Sequence, residues 1–332
     1  LGNGELQYWR TKNYMDSVLI LSNKALSIDD HLSEAYTLRG DYYSDIGKIE
    51  QAIEEYDKAI KFNPNDWMAY YEMGAMYYAD DLVKNINYLQ KAASVNHGPE
   101  LPRLLADIGW MYFCAGFPEK AKFYYQERLK LDGDSLSYYE ELAQFEYYQE
   151  DFNKSIEYAK KAFAIDSNCV DLLGETYAML GQKNESLKYY KKLVERLKAE
   201  GELPLNATHR IGYVYWQNGY KEEAEYFFDE EIKYCNRMNE LKRSWGQKLY
   251  TYYDLAAVYA IKGEKKKAYE NLRIFNQIQR VPFWMTMYMK ADPLLNSIRN
   301  EPEFQQIARD IEAKYQAEHE RVRKWLEENN ML

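Results

Sequence analysis

Residues Ser33 to Asp66, SEAYTLRGDYYSDIGKIEQAIEEYDKAIKFNPND, form a 34-residue unit that recurs with small losses along most of the 332-residue chain. A chain of such copies has few folds open to it. The spacing predicts two antiparallel helices per unit. Gly40 and Ala52 are small where the helices cross, and Tyr36, Tyr43 and Tyr56 fill the space around the crossing. Gly47 is placed to end the first helix in a left-handed conformation, and Pro64 follows the second, which it cannot continue. One hairpin cannot bury its own apolar faces, whereas stacked copies share a continuous core.

The register is that of a known family. Tyr36, Arg39, Gly40 and Tyr43 stand at the spacing W-x2-L-G-x2-Y, with Tyr for Trp and Arg for Leu, and Ala52, Tyr56 and Pro64 complete the pattern. The chain resembles tetratricopeptide-repeat proteins over most of its length. The resemblance implies an all-α, right-handed superhelical solenoid closed by a C-terminal cap. Units are expected at 1–32 (partial, with a first helix that includes Leu6 to Arg10), 33–66, 67–100, 101–134, 135–166, 167–202, 203–246 and 247–282. The sixth should have a first helix about one turn short. Loops are expected at Gly201 to Asn206 and Lys242 to Gln247. Residues 283–332 leave the repeat and should form the cap, a short apolar helix around Trp284 to Met289 and a long amphipathic helix with Phe304, Ile307, Ala308, Ile311, Tyr315, Val322, Trp325 and Leu326 on one face. The stretch 291–307, ADPLLNSIRNEPEFQQI, resembles the sequence that closes repeat arrays attached to bacterial signalling outputs such as helix-turn-helix regulators, cyclase-type domains and kinases.

Composition narrows function by exclusion. A net charge of −10 argues against a nucleic-acid surface and favours basic partners. No run of 18 apolar residues is present, so membrane contact by this segment and a leading signal peptide are not expected. The chain starts at Leu1 without methionine, from which an upstream part is expected. Cys114, Cys169 and Cys235 lie in different units without a CxxC spacing and read as small buried or half-buried thiols, which slightly favours a cytoplasm; a periplasm would follow from an upstream anchor. His31, His97, His209 and His319 are far apart in sequence and read as surface or turn histidines. With no phosphate loop, GxSxG or HExxH, no catalytic residue, metal or cofactor is expected.

Binding is the stronger expectation. The first helix of each unit should line a concave groove, exposing Glu34, Asp41, Tyr71, Tyr78, Trp110, Phe113, Tyr147, Tyr148, Tyr213, Trp216, Tyr250 and Tyr253. The groove should have an acidic entrance and an aromatic floor, because Tyr and Trp offer rigid area with a polar tip. The alternative for the 34 tyrosines is that they are this core's packing style. The function expected is therefore a non-catalytic interaction or sensory module that binds a peptide, a partner domain or an upstream domain of its parent chain. The alternative is a structural scaffold that self-associates as a homodimer through 303–328.

Overall fold

The computed structural model describes residues 12–78, 81–199, 208–240 and 247–332. The helix expected over Leu6 to Arg10 and the loop expected at Gly201 to Asn206 lie outside the described residues, as does 242–246 of the second expected loop. All regular structure among the described residues is helical. Helix α1 (Lys12–Ile28) precedes a run of antiparallel pairs. These are α2 (Ser33–Asp45) with α3 (Ile49–Phe62), α4 (Trp67–Met76) with α5 (Leu82–Val95), α6 (Leu101–Cys114) with α7 (Pro118–Asp132), and α8 (Ser135–Tyr148) with α9 (Phe152–Ile165). They continue as α10 (Asp171–Met179) with α11 (Lys183–Ala199), α12 (Thr208–Gln217) with α13 (Lys221–Glu240), and α14 (Gln247–Ile261) with α15 (Lys265–Phe275). Each second helix also packs on the first helix of the next pair, which makes the solenoid.

The crossing chemistry read from the sequence is what holds a pair together. Tyr56 is fully buried and lies across Gly40, where an added Cβ would come within 2.5 Å of its ring. Burial of a side chain of that size contributes about 1.5–3 kcal/mol, provided that the opposing position stays empty. Neighbouring pairs are tied through Asp66. Its Oδ2 accepts hydrogen bonds from Ser33 Oγ and from Thr37 Oγ1, the latter at 3.1 Å, while Oδ1 caps α4 by accepting from Ala69 N at 3.2 Å. Helix α10 has 9 residues against 13 in α2, the shortening expected for that unit.

The C-terminal segment does more than cover the last pair. After α15 the chain turns inward into α16 (Phe283–Ala291) and a 3-10 turn (Pro293–Leu295), then enters α17 (Pro302–Glu328). Helix α16 packs on α6, α8 and α17, and α17 runs from α15 back to α5. At its start Arg273 donates to Glu303 at 2.7 Å and Asn276 to Asp310 at 2.9 Å. Toward its end Glu318 accepts from Leu82 N at 3.1 Å, Arg321 donates to Asp81 at 2.8 Å, and Lys120 donates to the Met331 carbonyl. The stripe expected on this helix is buried at Phe304, Ile307, Ile311, Tyr315, Val322 and Leu326 against the solenoid.

Candidate functional site

The chain's own α16 packs against the first helices of the central pairs, α6 and α8. Arg280 stacks over Tyr78 with its guanidinium carbon 5.3 Å from the ring centre. Phe283 meets Phe113 edge-on at 5.5 Å. Trp284 sits among Tyr148, Tyr250 and Tyr288, with ring centres 6.0, 4.9 and 5.9 Å away. Tyr288 adds contacts to Tyr147, Tyr148 and Tyr253 at 6.3, 5.8 and 6.2 Å. Trp110 completes the floor, 5.5 Å from Phe113 and 6.2 Å from Tyr148. These aromatic side chains thus form one cluster, and α16 covers it. Phe113, Tyr147 and Tyr253 are buried, while Tyr78, Trp110, Tyr148 and Tyr250 are half-buried.

Beneath α16 lies a buried polar knot that sequence reasoning missed. Glu175 Oε1 accepts from Tyr147 Oη and Tyr288 Oη, both at 2.9 Å, and pairs with Arg210 Nε at 3.2 Å. Arg210 continues to Asp292 Oδ2 at 3.1 Å and places its guanidinium carbon 4.3 Å over the Tyr288 ring. Asp292 is fully buried, accepting also from Tyr253 Oη at 2.8 Å and, through Oδ1, from Leu294 N at 3.0 Å. Burial alone would raise its pKa; Arg210, the Leu294 amide and the Tyr253 hydroxyl reverse that and hold the carboxyl below its ordinary range. Burial opposes the charge of Arg210 in the same way, and Tyr288, Asp292 and Glu175 more than offset it. The available signal was the apolar run FWMTMYM at 283–289, since a helix apolar all round must be covered on every side.

The remaining expected residues lie apart from this cluster. Glu34 is exposed at the N-terminal end of the concave face. Asp41 is half-buried and accepts from Tyr56 Oη at 2.9 Å. Half-buried Tyr71 lies under Arg103, whose guanidinium carbon is 4.6 Å from the ring centre. Tyr213 is buried, and Trp216 is 41% exposed. Two histidines correct the expectation of surface or turn positions. His209 is 2% exposed because α13 and α14 close over α12, and half-buried His319 docks on the Ala115 carbonyl at 2.8 Å. Cys114 and Cys235 are buried free thiols, and Cys169 is half-buried. No described helix is long and apolar enough to cross a membrane.

A family model described as TPR repeat matches residues 40–81, and a second, described as Tetratricopeptide repeat, matches 171–196. With the stacked helix pairs they identify the repeat. The chain carries tetratricopeptide repeats. A solved tetratricopeptide repeat protein from Parabacteroides merdae superposes with a TM-score of 0.55 at 14% identity, over 80% of this chain and 93% of that one, which shows the shared superhelical fold. Anaphase-promoting complex subunit 3 of Schizosaccharomyces pombe is 27% identical over 172 residues, 51% of this chain and 26% of the relative. This tetratricopeptide-repeat chain therefore spans about a quarter of that relative's length. Proteins of the family generally mediate protein–protein interactions, and relatives of this fold are generally non-catalytic scaffolds.

Proposed function

We propose that this chain is a non-catalytic interaction module that takes a segment of a partner protein, or of an upstream domain of its parent chain, on the N-terminal part of its concave face. One observation carries the reading: the central and C-terminal parts are already filled by α16 through aromatic packing and hydroxyl hydrogen bonds, while Glu34, Asp41 and Tyr71 lie beyond that occupant. The filled part supports the view that this face is complementary to a helical, aromatic segment. The acidic residues at the other end favour a partner segment with basic side chains. In a bacterial regulatory protein such binding would act through a semi-rigid array, because a ligand that prefers one curvature shifts the orientation of whatever is attached. The test is an array of basic and aromatic peptides probed with the full chain and with Glu34→Lys/Tyr71→Ala. The double change should abolish capture that Trp216→Ala leaves intact; equal capture by all three proteins sinks the assignment.

Self-association through 303–328 has less support, because the apolar stripe of α17 is already packed on its own chain. A dimer built on that stripe would have to exchange the helix between copies rather than add a new layer. Light scattering distinguishes the two: a monomer across the accessible concentration range removes the scaffold reading.

A further inference from the structure

Helices α12, α13 and α14 bring four metal-ligating side chains together. Glu231 and Cys235 stand one turn apart on α13 and are fully buried. Asp254 reaches them from α14, and the ligand atoms of these three residues lie within 4.8 Å of one another. His209, from α12, is buried beside them with Nδ1 3.2 Å from Glu231 Oε2 and Nε2 3.6 Å from Asp254 Oδ1. Among the described residues neither ring nitrogen completes a hydrogen bond of acceptable geometry. Glu231 Oε2 is instead engaged by Thr208 Oγ1 at 2.7 Å and by His209 N at 3.3 Å, while Cys235 Sγ lies 3.4 Å from Glu231 Oε1.

We propose that Cys235, Asp254, Glu231 and His209 form a structural site for a divalent transition-metal ion, with Zn2+ the best match to the donor set. One thiolate, one imidazole and two carboxylates suit a borderline-soft ion in tetrahedral coordination better than the all-oxygen sites that hold Mg2+ or Ca2+. His209 would present Nε2 to the ion and donate Nδ1–H to Glu231 Oε2, the orientation that an outer carboxylate gives a ligating histidine. Glu231 would ligate through Oε1, and the Cys235 thiol proton would leave to solvent as the metal–sulfur bond forms. Asp254, with its side chain 25% exposed, marks the way in. A cation here resolves an otherwise awkward arrangement, in which three acidic groups face one another in a buried space with one imidazole between them. Its effect is to pin three helices from two consecutive pairs. No motif marks the site, since its four residues are spread between His209 and Asp254 without a recognisable spacing.

The full chain, stripped with chelator and titrated with Co2+ alone, tests the site. The expected result is one equivalent bound, with a near-ultraviolet thiolate-to-cobalt band, intense visible d–d absorption diagnostic of tetrahedral geometry, displacement by Zn2+, and a raised melting temperature. Cys235→Ser should lose the thiolate band, and Asp254→Asn, which removes a direct ligand, should weaken affinity by at least the roughly 10–100-fold that loss of an outer-shell partner costs. His31→Ala, at the exposed Asp29, Asp30 and His31 cluster, should change neither. Absence of a thiolate band in the unmodified chain overturns the proposal without reference to any variant. Its persistence in Cys235→Ser does so equally, because another cysteine would then be the ligand.

Discussion

The Tyr288 hydroxyl donates to Glu175 Oε1 at 2.9 Å, joining the inward helix α16 to a residue 113 positions earlier in the chain. The same oxygen receives Tyr147, and Arg210 lies 3.2 Å from it, so one carboxylate gathers three donors from three other helices. Removing the acceptor should cost much more than removing one donor, since a donor left buried without a partner loses its full desolvation energy. Glu175→Ala is expected to destabilise by about 3–5 kcal/mol, the range for breaking a buried charged pair, whereas Tyr288→Phe should cost about 1 kcal/mol. Guanidinium denaturation of the two variants measures the contrast. Equal losses would mean that the three donors find other acceptors.

The docking of α17 can be isolated at Gly116. This residue closes the turn after α6 at φ +81, a left-handed conformation, and an added Cβ there would run into the Tyr315 hydroxyl and lie 2.9 Å from His319 Nδ1. Gly47 occupies the equivalent turn at φ +75 with nothing within 4 Å of such a Cβ. Both changes to alanine lose the conformational freedom of glycine, at about 1 kcal/mol each. Only Gly116→Ala also forces the C-terminal helix away, adding about 1–3 kcal/mol of overpacking. Hydrogen exchange should accelerate across 302–328 in Gly116→Ala and remain unchanged there in Gly47→Ala.

The pH dependence of stability has a local source at Glu141. Burial pushes its carboxyl up to about 7, and the Arg128 guanidinium, shared with Asp132 and Asp134, only partly offsets this. A carboxyl whose folded pKa lies above its unfolded value favours the protonated form in the fold. Its contribution is fully present below about 4.5 and is lost as pH rises through about 7. The loss is on the order of 3 kcal/mol. Melting temperature should therefore fall between about pH 5 and pH 7.5, and Glu141→Gln should flatten part of that slope while raising stability at the upper end. A variant with the unmodified profile would place the charge in water instead.

The solenoid was readable because its determinants are local and repeated: Gly40, Ala52 and Tyr56 recur in register, and each copy supports the same alignment. The occupant of the groove was not readable, because α16 occurs once, outside the repeat, and its contacts reach Phe113, Glu175 and Tyr253 across long stretches of chain. The expectation of exposed aromatic side chains fails where α16 covers them, at Phe113, Tyr147 and Tyr253. Tyr147 and Tyr253 are in part the core style that the sequence offered as the bland alternative. His209 was misplaced for a related reason, since burial of a histidine is decided by α13 and α14 and leaves no mark at its own position.

The turn of the α8–α9 pair carries a backbone feature for which the repeat predicts a specific improvement. Glu150 has φ +65, the left-handed conformation that Gly116, 34 positions earlier, adopts in its own turn. Its amide still closes that turn on the Tyr147 carbonyl at 3.0 Å, so the conformation is imposed by the α8–α9 hairpin rather than chosen by the residue. Left-handed backbone costs a side chain other than glycine about 1–2 kcal/mol, and glycine returns part of the gain as lost unfolded-state entropy. Because Glu150 is exposed, its side chain contributes little packing to offset that strain. Glu150→Gly should therefore stabilise the chain by about 0.5–1 kcal/mol, seen as a higher denaturation midpoint at constant m value, whereas Glu150→Val, with a β-branched side chain, should destabilise it by at least about as much. The opposite ordering would mean that the turn relaxes to negative φ in solution.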